Sequence, residues 1–238
     1  MLAFFLDKEF FLYTQLCPFT KYKIMQYKKL NLENWSRIEQ YKFFKKYENP
    51  FFNICSTLDV TELVKCIKNS NYSFSTSILF ASIYTANQIQ EFKLRLKDEG
   101  VIICDSIYAG STILNEDETF SFCYFDYNEK FSEFYKNAIK QIELNKQGLL
   151  KFDGRNNDLD IIHYSIIPWI SFTSFSHPRN YGTNDSIPKI VFGQYFEDNG
   201  KIKMPISIEV HHALMDGFHL GKYLTQFQAM INKPDYIC

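Results

Sequence analysis

Apolar residues recur along this chain with two alternating periods, one helical and one strand-like. Asn31-Leu32-Glu33-Asn34-Trp35 places cap-type residues before an apolar set at Trp35, Ile38, Tyr41 and residues 44–47, and Pro50 ends that helix. Residues 51–58 alternate as a strand does. Asp59-Val60-Thr61-Glu62 then reads as a helix start ahead of Leu63, Val64 and Ile67. Residues 76–97 are the longest helical pattern, ended by Gly100. Strand-like stretches follow at 101–107, 111–115 and 119–127, and helical spacing returns over 129–149.

Residues 153–158 read as a turn-rich loop, 160–175 as a largely apolar strand, and 177–186 as irregular. The stretches 189–196 and 201–210 flank Asp198-Asn199-Gly200, a hairpin signal. A last amphipathic helix runs over 217–231. Strands among helices, with no internal repeat, predict an α/β or α+β class with a mixed sheet.

A chain of 238 residues that is 46% apolar has material for one sizeable core. Residues 1–29 show no sustained period and read as an N-terminal appendage, with 30–238 as the domain and Met25 as an alternative start. Lys+Arg 26 against Asp+Glu 27 offers no basic surface for nucleic acid. No stretch approaches a membrane span, and the apolar run 2–6 is too short for an export signal. The six cysteines form no CxxC pair, so reduced thiols and a cytoplasmic location are expected.

The candidate chemistry lies late in the chain. His211-His212-Ala213-Leu214-Met215-Asp216-Gly217-Phe218-His219 follows a strand and opens a helix. Such a junction holds an imidazole on rigid support at a cleft, where its pKa suits a general base. Two other readings stand beside it. The doublet can be polar strand-end residues, or His212, Asp216 and His219 can ligate a metal, although Gly217 weakens the helix that ligation needs.

This segment resembles the active-site motif of the chloramphenicol acetyltransferases, His-His-Ala-Val-Cys-Asp-Gly-Phe-His. Pro168-Trp169-Ile170-Ser171-Phe172-Thr173-Ser174-Phe175 resembles that family's Pro-Trp-x-x-Phe-x-x-Phe. Asp117-Glu118-Thr119-Phe120-Ser121 is similar to its Thr-Glu-Thr-Phe-Ser, and Asn34-Trp35-Ser36-Arg37 to its Asn-Trp-x-Arg. These anchors keep family order from about residue 31 onward. Peptide-synthetase condensation domains share HHxxxDG but are about twice this length.

The resemblance implies a two-layer sandwich with a mixed, mostly antiparallel sheet and helices on one face. It implies an acetyl-CoA-dependent O-acetyltransferase without a metal, a homotrimer with active sites between subunits, and a link to antibiotic resistance. In that reading His212 is the general base, Ser165 donates to the oxyanion, and Asp216 pairs with Arg37 to hold the loop. Tyr195 and Trp169 line the CoA channel. Phe43, Phe44, Thr112, Phe120, Phe122, Phe175, His177, Arg179 and Val191 fall on the acceptor pocket.

Departures from the family concentrate in that pocket. Phe43-Phe44 replaces a Phe-Tyr pair, Phe122 stands for an alanine, and Val191 for a threonine. His177 and Arg179 replace apolar residues, which favours a more polar or anionic acceptor. Two lysines that meet the CoA phosphates fall on Ser73 and Gln194, which implies weaker CoA binding unless Lys189 or Lys222 substitutes. A non-catalytic trimeric binding protein that keeps the cleft remains the rival function.

Overall fold

The large sheet has the strand order β2-β10-β8-β7-β5-β6, with β9 paired to β10. The computed structural model describes residues 25–147, 158–179 and 185–237. Its strands are β1 (Tyr27–Lys29), β2 (Phe51–Asp59), β3 (Leu94–Lys97), β4 (Gly100–Cys104), β5 (Tyr108–Leu114), β6 (Phe120–Phe125), β7 (Ile161–Ile166), β8 (Lys189–Phe192), β9 (Phe196–Asp198) and β10 (Lys201–His211). Its helices are α1 (Ile38–Phe44), α2 (Thr61–Lys68), α3 (Phe74–Asn87), α4 (Phe131–Lys146) and α5 (Gly217–Asn232). β5, β7 and β8 run parallel, and the remaining pairings are antiparallel. This is the mixed, mostly antiparallel sheet expected of the sequence.

The two faces of the sheet differ because side chains alternate along each strand. On β10, Met204, Ile206, Ile208 and Val210 join the main core. So do Leu63 of α2, Ile78, Phe80 and Ile83 of α3, Phe134 of α4, and Leu220, Tyr223 and Phe227 of α5. The Ser82 hydroxyl, fully buried here, bonds both Tyr164 and Tyr223, so all three hydroxyls are satisfied. Ser207, Glu209 and His211 alternate with these residues and lie buried on the opposite face.

Helix α1 packs elsewhere. Tyr41 forms a second cluster with Leu94, Val101, Ala213 and Leu214, beneath a small sheet of order β1-β4-β3. This cluster ties the segment after β10 to the start of the chain. Residues 27–29, grouped with the appendage in the sequence, pair with β4.

Two expected elements are shorter than their apolar patterns. The 76–97 pattern is helical only to Asn87, followed by a 3-10 turn and β3. Asn87 lies inside the protein; its amide donates to Ile83 and Ile107 carbonyls and accepts from the Ile107 amide, which stitches the helix end to the start of β5. The apolar stretch 160–175 is a strand only through Ile166. Beyond it the chain leaves the sheet, with Phe172 lying on Gly193, where an added Cβ would meet the Phe172 ring at 2.9 Å.

The hairpin is as expected, with Asn199 at φ 51° and Gly200 at φ 74°. Most of the 153–158 loop lies outside the described residues. Cys55 and Cys104 are free thiols, whereas Cys66 is disulfide-bonded, against the expectation of reduced thiols. Among the described residues no helix is long and apolar enough to cross a membrane.

Candidate active site

His212 follows the last residue of β10, and its amide donates to Pro50. Its Nδ1 lies 3.2 Å from the Met215 carbonyl. A carbonyl only accepts, so Nδ1 carries the hydrogen and Nε2 keeps its lone pair. Phe44 stacks flat on the ring, and Phe52 packs against it at a centroid distance of 4.5 Å. Phe43 meets Phe44 edge-on and is otherwise exposed.

Asp216 caps α5. Its carboxylate accepts from the Phe218 amide, and its own amide donates to His219 Nδ1. The second carboxylate oxygen is bound by Arg37, whose Nη2 also donates to the His212 carbonyl at 3.3 Å. Partial burial pushes the Asp216 pKa up, but Arg37, His219 and the Phe218 amide outweigh it and hold the carboxyl below its ordinary value. One ion pair therefore fixes both ends of the turn that carries His212.

Ser165 lies on β7, in register with Val191 of β8 and Ser207 of β10. Residues in register share a face, so all three lie on the face opposite the main core. β5 and β7 pair only as far as Ser111 and Tyr164. Where they part, at the carboxyl ends of parallel strands, a cavity of about 410 Å³ opens. Ser165, Thr112, Phe120 and Trp169 line it, with Ser75 and Thr76 from the start of α3. Phe122 pairs with Thr112 and packs edge-on to Phe120. Trp169 is exposed at the mouth, and Tyr195 packs edge-on to Phe74.

Arg179 and His177 do not point to solvent. The Arg179 guanidinium is 1% exposed, lies 3.8 Å over the Phe51 ring and pairs with Asp185 and Glu209. Phe175 packs edge-on to His177. Lys189 donates to the Pro178 carbonyl at 2.7 Å, in the same patch of the sheet. Glu209 went unremarked as a site residue in the sequence, and Lys189 was considered there only for the CoA phosphates. The signal for Glu209 was the alternation of β10, which puts Ser207, Glu209 and His211 on one face.

The structure thus forms two groups. Arg37, Phe44, His212 and Asp216 meet at one end of the sheet. Ser165, Thr112, Phe120 and Trp169 meet at the cavity. From the Ser165 row, His211 lies four residues along β10, roughly 13 Å, and two strands across, about 10 Å. His212 lies beyond it. One chain therefore does not bring His212 and Ser165 to a common atom. No group of three or more His, Cys, Asp or Glu suited to a metal ion occurs among the described residues.

The chloramphenicol acetyltransferase family model matches residues 25–228. Chloramphenicol acetyltransferase 3 of Escherichia coli is 28% identical over 209 residues, 87% of this chain and 98% of that protein. A chloramphenicol acetyltransferase of Proteus mirabilis is 31% identical over 84% of this chain and 92% of its own length. A solved chloramphenicol acetyltransferase, 27% identical, superimposes with a TM-score of 0.78 over 87% of this chain and all (100%) of that one. A dihydrolipoamide acetyltransferase of Azotobacter vinelandii, 14% identical, shares the fold with a TM-score of 0.62 over 84% of this chain and 88% of that one. The chain belongs to the chloramphenicol acetyltransferase family and is an acetyltransferase.

Proposed function

We propose that the protein transfers acetyl from acetyl-CoA to a hydroxyl of a small acceptor, in the cytoplasm, as a homotrimer. His212 of one subunit faces the Ser165 cavity of its neighbour. His212 Nε2 takes the hydroxyl proton while that oxygen attacks the thioester carbonyl carbon. The Ser165 hydroxyl donates to the resulting oxyanion. Collapse breaks the C–S bond, the ester leaves, and the proton passes from His212 to the CoA sulfur.

The observation that carries this reading is the hydrogen bond between His212 Nδ1 and the Met215 carbonyl. It leaves Nε2 as the basic atom on a ring held by Phe44 and by the Arg37–Asp216 pair. The register distance to Ser165 supports a site built from two copies, as in closed ring assemblies with head-to-tail contacts. The cavity, with several hydroxyl side chains and apolar walls, suits the thioester end of acetyl-CoA, with the exposed Trp169 on its lining. Lys189 is engaged by the Pro178 carbonyl, so it is a poor replacement for a phosphate contact.

The test is release of free CoA thiol from acetyl-CoA, with chloramphenicol as the first acceptor and a panel of alcohols beside it. Release that needs both an acceptor and His212 supports the proposal. Release without acceptor indicates thioester hydrolysis, and binding without turnover indicates a carrier role.

A further inference from the structure

A second cavity, of about 340 Å³, opens in the helical layer between α3, α5 and the residues that follow α5. That volume lies within the ~300–1,000 Å³ of small-molecule sites. Phe80 and Tyr84 reach it from α3, Met230 from α5, and Tyr236 from beyond α5. The Ser165 cavity uses Ser75, Thr76 and Leu79 of the same α3, but the two cavities have no lining residue in common. An occupant of the second therefore leaves the first free.

Aromatic rings dominate its walls. The Phe80 centroid lies 5.8 Å from that of Tyr84 and 5.5 Å from that of Tyr236, with the planes tilted by 37° and 38°. Phe80 is buried at the base of this group, while Tyr84 and Tyr236 are half-buried. The Met230 thioether adds a polarizable apolar contact. Glu129, exposed at the rim, is the one charged side chain among the described lining residues, and no lysine, arginine or histidine is among them.

This lining selects by charge. An anion meets a carboxylate and the negative faces of the rings. A neutral apolar guest makes no use of Glu129. A bare metal ion needs about six oxygen ligands and finds a single carboxylate. An alkylated ammonium ion holds its water loosely, is drawn to ring faces, and pairs with a carboxylate at the same time.

We propose that this cavity binds a small alkylated ammonium ion, through cation–π contact with Phe80, Tyr84 and Tyr236 and charge attraction to Glu129. The site is separate from the acetyl-transfer chemistry and stands whether or not the chain transfers acetyl.

Isothermal titration calorimetry on the full chain tests this with three probes of similar size: propyltrimethylammonium, the neutral ketone pinacolone, and the anion pivalate. The ammonium should bind roughly 10-fold tighter than pinacolone, as a desolvated cation–π contact allows, and pivalate should bind more weakly than either. Saturating acetyl-CoA should leave the ammonium's Kd unchanged. Glu129→Gln, at an exposed position, should weaken it roughly 2–5-fold, an effect that salt screens. Tyr84→Leu should weaken it roughly 5–10-fold, while Tyr84→Phe keeps the ring, retains the wild-type Kd and checks that the cage folds. Pinacolone or pivalate binding as tightly as the ammonium overturns the proposal, as does Tyr84→Leu with a wild-type Kd. Displacement by acetyl-CoA, which would put the ammonium in the Ser165 cavity, overturns it too. So does an absence of binding heat from the ammonium up to about 20 mM, a fair ceiling for so few non-hydrogen atoms.

Discussion

Phe44 lies face to face with His212, ring centroids 3.9 Å apart and planes within 9°. Stacking of this kind is worth about 0.5–1.5 kcal/mol beyond area burial. Phe44 arrives from α1, more than 160 residues earlier in the chain, and the Tyr41 cluster anchors that helix against Ala213 and Leu214. Phe44→Leu should therefore loosen the ring and lower kcat roughly 3–10-fold, with KM for acetyl-CoA unchanged. A KM change at constant kcat in steady-state assays would place Phe44 in binding instead.

The Arg37–Asp216 pair is partly buried, between the surface regime of under ~1 kcal/mol and the buried regime of ~3–5 kcal/mol. Asp216→Asn keeps an N-cap acceptor and removes the charge. Asp216→Ala removes both. Urea unfolding should show a loss of about 1 kcal/mol for Asn and about 2 kcal/mol for Ala, since a cap adds ~1 kcal/mol. Equal losses would mean that the cap contributes nothing.

Arg95 is fully buried, and its guanidinium donates to the Leu159, Phe92, Leu94 and Ile161 carbonyls. Burial pushes its pKa down to about 10, so it stays charged at neutral pH. Its planar fork spans carbonyls that an ammonium cannot reach together. Arg95→Lys should cost about 3 kcal/mol of stability by urea unfolding. A loss below ~0.5 kcal/mol would show that the fork is dispensable.

Burial holds His163, His177 and His211 each at about pH 4 in the folded chain, against ~6.5 when unfolded. The unfolded chain then binds more protons between these values. Stability should be full above pH ~6.5 and fall as pH drops toward 4, with up to about three protons taken up on unfolding. Urea midpoints across that range measure it. A flat profile would mean that these imidazoles titrate normally.

Much of the fold was legible because it was written locally. The Asp198-Asn199-Gly200 hairpin needed two positive φ angles, and Asn-Gly supplies them. The Gly217 start of α5 read directly from the apolar spacing, whereas the Asp216 cap went unread. What failed to read was tertiary. Asn87 ends α3 by bonding to Ile107, twenty residues away, and no local pattern carries that. The apolar run after Ile166 leaves the sheet instead of extending it, and its Phe172 lies on Gly193. At the site, the Arg37–Asp216 contact was expected from resemblance alone. Arg179 was expected in the pocket, but its neutralisation by Asp185 and Glu209 depended on strand register.

The central claim is that His212 of one copy works on the Ser165 cavity of another. His212→Ala and Ser165→Ala chains, each nearly inactive alone, can be unfolded together in equal amounts and refolded. A contact running head to tail needs an intact His212 on one side and an intact Ser165 on the other. Random assembly meets that condition at about a quarter of sites. The refolded mixture should therefore regain about a quarter of wild-type CoA release with acceptor present. A mixture no more active than its two parents would contradict the account.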